Sequence, residues 1–493
     1  MQYKPTIGLE IHAELKTRTK MFCDCLNDPE ERHPNANVCP ICTGHPGTLP
    51  TANRQAIEAV LKVGMALSGE IPQFSKFDRK NYFYPDLPKG YQLSQYDLPL
   101  IFGGLLRGVR LRRIHLEEDT GRLVHQTSDK QLTTNDQSSV ISHKSSVSLV
   151  DYNRSSVPLM ELVTEPDIKN AEQAVEFARE LQLILRYLGV SDADMEKGQM
   201  RVEANVSVSP DETLGTKVEL KNIASFKAAH DAINYEIKRQ EEVLSSGKKV
   251  IQETRGWDDA HKKTVSQRVK EEAHDYRYFP EPDLPPLDLA GFDLKKLKME
   301  IPELPHIKRQ RFAKEYGLTP EQAEILVIER ATAQFFEETI SELAEEGGVA
   351  KPDQIKLAFN YLNSDLRGLL MEKGMKIEEC KVDPENFSDL IILVAEKKVS
   401  SRAAKDILVK MLETGLDPRE IMKSENLSQV SDESSLRPLA EKIVSENPKT
   451  VEDFKKGKEN ALQFLLGKAM ASLKGAGNPA VLQKIFRDVL EGR

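Results

Sequence analysis

The sequence predicts an α+β N-terminal domain built on an antiparallel sheet, followed by all-α C-terminal domains. Up to about Leu289 the chain consists of short alternating segments and frequent turn residues, with few helical stretches. The run 280–286 is rich in proline and marks a boundary. Beyond about Leu294 the pattern changes to Leu/Ala/Lys/Glu periodicity with little strand signal. At 493 residues the chain exceeds one core. We divide it into 1–293, 294–411 and 412–493.

In chain order, Gly8-Leu9-Glu10-Ile11-His12-Ala13-Glu14-Leu15 alternates strictly, so as a strand it places Glu10, His12 and Glu14 on one face. Two carboxylates and an imidazole on one face either ligate a divalent metal or belong to a half-exposed strand. Cys23, Cys25, Cys39 and Cys42 follow as C-x-C and C-x-x-C. Two thiolate pairs separated by a loop can close tetrahedrally on zinc and leave no position for a substrate, so a structural Zn2+ is expected. A helix is expected over 52–68. The segment 82–88 reads Tyr-Phe-Tyr-Pro-Asp-Leu-Pro, echoed at 278–285 as Tyr-Phe-Pro-Glu-Pro-Asp-Leu-Pro. Lys80 precedes the first copy and Arg277 the second. Proline stiffens both loops, and a chain that builds such a loop twice is expected to frame one polar pocket.

Arg113-Ile114-His115-Leu116-Glu117-Glu118-Asp119 is a second acidic strand. Alternation puts Glu117 with His115 and turns Glu118 the other way, leaving open which of them faces a pocket. A helix is expected over 170–188, stopped by Gly189. Residues 201–208 and 217–222 read as a hairpin, with Arg201, Glu203, Asn205 and Ser207 on one face beside Lys217, Glu219 and Lys221. That face either meets water or lines a polar site. A helix over 226–245 follows, with Gly247 beyond it. Pro302 and Pro305 open helical patterns that run to about Met411, where Cys380 reads as a lone core residue. Breaks at 416–419 and 431–434 set off the last small helical domain.

With 39% hydrophobic and 30% charged residues, the composition is that of a soluble globular protein. A net charge of −9 argues against a nucleic-acid coat while allowing a local basic patch. No run of about 18 apolar residues occurs, and residues 1–15 lack the pattern of a signal peptide, so a cytoplasmic location without membrane contact is expected.

Three strands with Glu/His/Asn faces, together with Lys80, Lys89 and Arg277, supply what phosphoryl transfer needs. Hard oxygens hold Mg2+, and cations offset charge on the moving phosphoryl group. No G-x-x-x-x-G-K-[ST], G-x-G-x-x-G or G-x-S-x-G occurs, which excludes P-loop, Rossmann and nucleophile-elbow sites as far as motifs can.

The motifs Gly8-Leu9-Glu10-Ile11-His12, Phe77-Asp78-Arg79-Lys80-Asn81-Tyr82-Phe83-Tyr84-Pro85-Asp86, Arg113-Ile114-His115-Leu116-Glu117-Glu118-Asp119, Val163-Thr164-Glu165-Pro166-Asp167 and Asp275-Tyr276-Arg277-Tyr278-Phe279-Pro280 resemble the B-subunit family of the aspartyl/glutamyl-tRNA(Asn/Gln) amidotransferases. The resemblance runs along essentially the whole chain. It implies an N-terminal cradle similar to glutamine synthetase and the guanido kinases. It also implies a reaction: ATP phosphorylates the side-chain carboxylate of Glu or Asp on a mischarged tRNA, and ammonia then displaces phosphate. The ammonia comes from a glutaminase A subunit through a tunnel, and a small C subunit wraps the other two.

Carried over by motif, Glu10, His12, Glu118 and Glu219 are implied as Mg2+ ligands or catalytic carboxylates. Lys89 and Glu118 are implied as the charged gate of the tunnel, with Lys80 lining the same pocket. Arg277, Glu203, Asn205 and Lys221 are expected to contact the ATP cofactor. The four cysteines match the family's zinc knuckle, and the last domain its tRNA-contacting tail. Gly467-Lys468, Lys474-Gly475 and Asn478-Pro479 stand where the family has a glycine- and lysine-rich signature, here interrupted by Ala476-Gly477. Two other classes compete with this reading: a zinc-stabilised tRNA-binding adaptor without an active site, and a free-standing ligase using dissolved ammonia. Carboxylates gathered where phosphates approach discriminate against the adaptor unless metal intervenes.

Overall fold

In the computed structural model, which describes residues 3–132, 141–211, 213–269, 276–345, 350–425, 427–429, 432–473 and 477–491, alternation decides the main sheet. Its strands are β1 (Lys4–Glu14), β2 (Ile101–Phe102), β3 (Val109–Glu118), β4 (Pro158–Thr164), β5 (Met200–Ser209), β6 (Val218–Lys221), β7 (Glu253–Asp258) and β8 (Lys263–Val269). They lie in the order β8-β7-β6-β5-β1-β4-β3-β2, with Leu105–Leu106 pairing β3 off this path. Every pairing is antiparallel except β6 with β7, which run parallel. The sheet is therefore mixed, which corrects the expectation of a purely antiparallel one. A parallel neighbour cannot be reached by a tight turn, and the helix between β6 and β7 makes the crossover.

Three helices pack on the apolar face of this sheet: α1 (Arg54–Ala66), α2 (Ala171–Tyr187) and the crossover α3 (Phe226–Ser245). Each starts on a side-chain cap that accepts from the first-turn amides: Asn53, Asn170 and Ser225. After α2 and α3 the chain turns at Gly189 and Gly247, both with left-handed backbone. Ile7, Leu9 and Ile11 of β1, with Val202, Ala204 and Val206 of β5, share one core with Ile57 and Leu61 of α1, Phe177 and Leu181 of α2, and Ala232 and Ile233 of α3. Covering one face in this way leaves the alternate residues of every strand on the other.

The two copies of the aromatic-proline segment meet. Phe279–Pro280 pairs with Asp78–Asn81, which pairs in turn with Tyr91–Ser94, in a three-stranded sheet. Residues Arg122–Leu132 and Ile141–Asp151 form a two-stranded ribbon. The first compact unit runs to Pro305, since the short helix Leu294–Met299 buries Leu297 in its core.

The second unit, His306–Arg493, is helical. Proline opens helix after helix at the first position, at Pro320, Pro352, Pro384 and Pro418, where its missing N–H costs nothing. Gly415 closes the helix Ser401–Thr414 in a left-handed conformation just before the break expected there. Leu436, Ile443, Leu462, Leu465, Leu482, Ile485 and Phe486 form a separate core for residues 433–491. Cys380 is half-buried at the end of a short 3-10 turn and not a core residue. Ser431, Asp275 and the stretch 474–476 of the basic signature lie outside the described residues. Among the described residues no helix is long and apolar enough to cross a membrane.

Candidate active site

Strand register assembles the polar face. His12 stands between Glu161 of β4 and Arg201 of β5, Glu10 stands beside Glu203, and Glu161 stands beside His115 of β3. Residues directly opposite in antiparallel strands share a face, so four strands deliver these side chains to one surface. Glu161 lies 3.4 Å from His12 Nε2 and 3.3 Å from His115 Nε2, and Glu117 lies 3.6 Å from His12 Nε2. Ser94 Oγ donates to Glu117 at 3.2 Å. Burial disfavours the His12 imidazolium, but Glu161 and Glu117 outweigh it and push its pKa up to about 9. Burial likewise pushes the Glu161 carboxyl up, yet His115 and His12 hold it well below the usual carboxylate range.

Lys80, half-buried, faces this group. Burial opposes its ammonium, and the fields of Glu117, Tyr278 and Glu161 outweigh that and raise its pKa. An aromatic box closes around it. Lys80 Nζ sits 5.3 Å from the Tyr276 ring centre, Tyr82 and Tyr276 meet edge to face at 6.0 Å, and Tyr278 stacks on Tyr96 at 4.3 Å. Burial pushes the Tyr278 phenol up to about 12.

A second group lies farther along the same face. Ligand atoms of Glu10, Glu203 and Glu219 fall within 4.8 Å of one another, as do those of His12, Glu117 and Glu161. Asn205 Nδ2 donates to Glu10 at 2.8 Å, Thr254 Oγ1 to Glu219 at 2.7 Å, and Lys221 Nζ stands 3.0 Å from Glu203. Three carboxylates this close repel unless a cation intervenes, and Lys221 supplies one. Among the described residues, His12 Nδ1, His115 Nδ1, Asn205 Oδ1 and Arg113 Nε are buried on this face without a hydrogen-bond partner. Asn205 Oδ1 beside clustered carboxylates fits a hard divalent cation, and the N–H groups of Arg113 and His12 fit an oxygen-rich substrate.

The expected ligand set Glu10, His12, Glu118 and Glu219 is distributed differently. Glu10 and Glu219 fall in one group and His12 in the other, while Glu118 belongs to neither. Its carboxylate is ion-paired with Lys89 and accepts from Leu93 N at 2.9 Å. Alternation along β3 explains this, since Glu117 takes the face of His115 and Glu118 turns toward the strand Tyr91–Ser94. Arg277 adopts a left-handed backbone at φ 43, its carbonyl accepts from Asn81 Nδ2 at 2.8 Å, and its side chain is exposed.

Sequence reasoning does not single out Glu161. Its signal is a lone acid inside the apolar run 157–163, a placement that is costly unless partners arrive from elsewhere. Asp119 also lacks an evident partner in the sequence, and in the fold it accepts from Arg201 at 3.0 Å with Arg154 at 3.6 Å.

The sulfurs of Cys23, Cys25, Cys39 and Cys42 lie within 4.8 Å of one another. Cys39 and Cys42 are 3.8 Å apart, far longer than a disulfide. A tetrahedral site with metal–sulfur bonds of about 2.3 Å has sulfur–sulfur edges of about 3.8 Å, so the arrangement fits a bound metal.

Comparison with known proteins agrees with this geometry. The sequence profile described as GatB/GatE catalytic domain matches residues 5–292, and that described as GatB domain matches 334–490. The chain is 45% identical to a protein of Thermomicrobium roseum over 100% of its own length and 99% of that relative's. It is 44% identical to one of Thermotoga maritima over 100% of both, and 43% identical to one of Carboxydothermus hydrogenoformans over 99% of both. Each of the three bears the name of the B-subunit of an aspartyl/glutamyl-tRNA(Asn/Gln) amidotransferase. The whole-length match shows that the chain belongs to the GatB family.

Proposed function

We propose that the chain uses ATP to activate the side-chain carboxylate of Glu or Asp carried on a mischarged tRNA, and converts it to the amide with ammonia. The observation that carries this reading is the polar sheet face, where two carboxylate groups and Lys80 stand side by side. A carboxylate resists ammonia until one of its oxygens becomes a good leaving group. Transfer of the γ-phosphoryl group to that oxygen releases ADP and gives an acyl phosphate. Ammonia then attacks the carbonyl carbon, the carbon–oxygen bond to phosphate breaks, and phosphate leaves with the electron pair.

In this reading Glu10, Glu203 and Glu219, and separately Glu117 and Glu161 with His12 once it has lost its proton, are the residues that would hold Mg2+. The cation offsets phosphate charge when bound. Lys80 adds positive charge against the carboxylates and the incoming phosphates, and its aromatic box excludes water from the acyl phosphate. Lys89 and Glu118 gate the entry of ammonia, and Lys221 and Asn205 orient the nucleotide-side carboxylates. Arg277, on its exposed loop, reaches the nucleotide from the rim. The four-cysteine loop holds Zn2+ in a structural role.

The reading includes an A subunit that supplies ammonia from glutamine, a small C subunit, and a cytoplasmic heterotrimer. It also includes a cradle similar to glutamine synthetase and the guanido kinases over 1–293, a helical domain over 294–411, and a tRNA-contacting tail over 412–493. Full-length relatives named for the same transamidation support it. An adaptor without an active site has no use for carboxylates gathered in this way. The test is to purify the chain with its A and C partners and assay Glu-tRNA(Gln) and Asp-tRNA(Asn) with and without ATP. ATP-dependent amide formation is expected on at least one of them, and its absence on both sinks the reading.

A further inference from the structure

The four-cysteine loop touches a catalytic candidate. A Cβ at Gly44, two residues after Cys42, would lie 2.3 Å from Lys89 Cγ and 3.1 Å from Lys89 Cα. Gly44 is also held in left-handed backbone at φ +68. Its missing side chain is the space that the stem of Lys89 occupies. From the other end of the loop, Phe22, which precedes Cys23, lies with its ring centre 5.9 Å from Lys89 Nζ. That ring is 1% exposed and locked edge to face against Phe77 at 5.2 Å. Both cysteine pairs thus carry a neighbour that packs on Lys89, whose ammonium is ion-paired with Glu118.

Lys20 ties the same loop down. It is fully buried, its Nζ donates to the Tyr152 carbonyl at 3.1 Å, and it stands 3.9 Å from Cys42 Sγ. Ser155 Oγ donates to the Cys42 carbonyl at 3.3 Å. The second cysteine pair is therefore fixed to the chain around residues 152–155.

We infer that the four-cysteine loop is the positioning element of Lys89, with Phe22 and Gly44 as its positioning residues, so that metal held by the cysteines sets the geometry of the Lys89–Glu118 pair. The link to ammonia delivery rests on the reading of that pair given under Proposed function. The link to Lys89 itself does not.

The experiment uses the assembled complex with mischarged tRNA and compares Gly44→Ala, Phe22→Leu and a control, Gly47→Ala. Gly47 has left-handed backbone like Gly44, but among the described residues nothing lies within 4 Å of a Cβ built there, so it reports strain without contact. Three readouts are taken: mass-spectrometric labelling of Lys89 by an amine reagent, tRNA-dependent ATP hydrolysis, and amidation driven by glutamine. Wild-type complex treated with a zinc chelator provides a fourth sample if the variants fold poorly.

Lys89 labelling is expected to rise by about tenfold in Gly44→Ala and in the chelated wild type, with glutamine-driven amidation falling by about tenfold and ATP hydrolysis little changed. Gly47→Ala is expected to leave labelling unchanged. Unchanged Lys89 labelling after both substitution and metal removal overturns the inference, and so does equal labelling in Gly44→Ala and Gly47→Ala. Raised labelling with undiminished amidation supports the positioning of Lys89 and instead refutes its role as an ammonia gate.

Discussion

Glu161 is a buried carboxylate kept ionised by two imidazoles, one from β1 and one from β3. Replacing it by Gln keeps its volume and removes the charge that orients both rings. Glu161→Gln is expected to lower the amidation rate by about a hundredfold while far-ultraviolet circular dichroism stays native. A rate within twofold of wild type removes Glu161 from the site. For the second group we expect Glu10→Ala or Glu219→Ala to abolish ATP-dependent amidation and leave tRNA affinity nearly intact, and normal turnover in either variant sinks the metal assignment. Glu10 and His12 are legible in the sequence because a strand repeats every two residues and the pattern is local. Glu161 is not, because its two partners come from strands far along the chain, and only their pairing gives a lone acid in an apolar strand its meaning.

The helices of the first unit follow their local signals closely. Asn170 caps α2 through Gln173 N at 2.8 Å, and Asn170→Ala is expected to cost about 1 kcal/mol of stability in urea unfolding. The strands depend more on their neighbours. The hairpin of β5 and β6 is legible from turn residues between two alternating runs, and its register pairs Asn205 with Glu219. The parallel course of β7 is not, because it depends on where α3 returns the chain to the sheet. On β7, burial raises the Glu253 carboxyl, but Ser266 and Arg255 outweigh it and hold its pKa below the ordinary value. A carboxyl lowered on folding contributes stability above its unfolded pKa and loses it as pH falls through the folded value. Glu253→Gln should therefore flatten the loss of stability below about pH 4.5, and an unchanged acid limb in denaturant titrations refutes this role for the ion pair. The aromatic-proline echo is visible as a repetition, whereas its meaning depends on Phe279 pairing with Arg79 across the small sheet.

At the scale of the molecule the chain divides into a sheet-based unit to Pro305 and a helical unit beyond it. Residues 433–491 have their own core, so removing 433–493 is expected to weaken tRNA binding by about tenfold or more without stopping ATP hydrolysis on a minimal substrate. An unchanged tRNA Kd in a filter-binding or calorimetric titration refutes the role of the tail. By itself the sequence determined the order of sheet and helices, the polar faces of three strands, the glycine stops after two helices and the four-cysteine spacing, because each of these is written in neighbouring residues. Tertiary structure alone decided that Glu117 and Glu161 stand with His12, and that the cysteine loop packs on Lys89 through Gly44. The reason is physical: alternation fixes the face of a strand on which a side chain lies, but strand order, register and the packing of loops decide which other side chains it meets there.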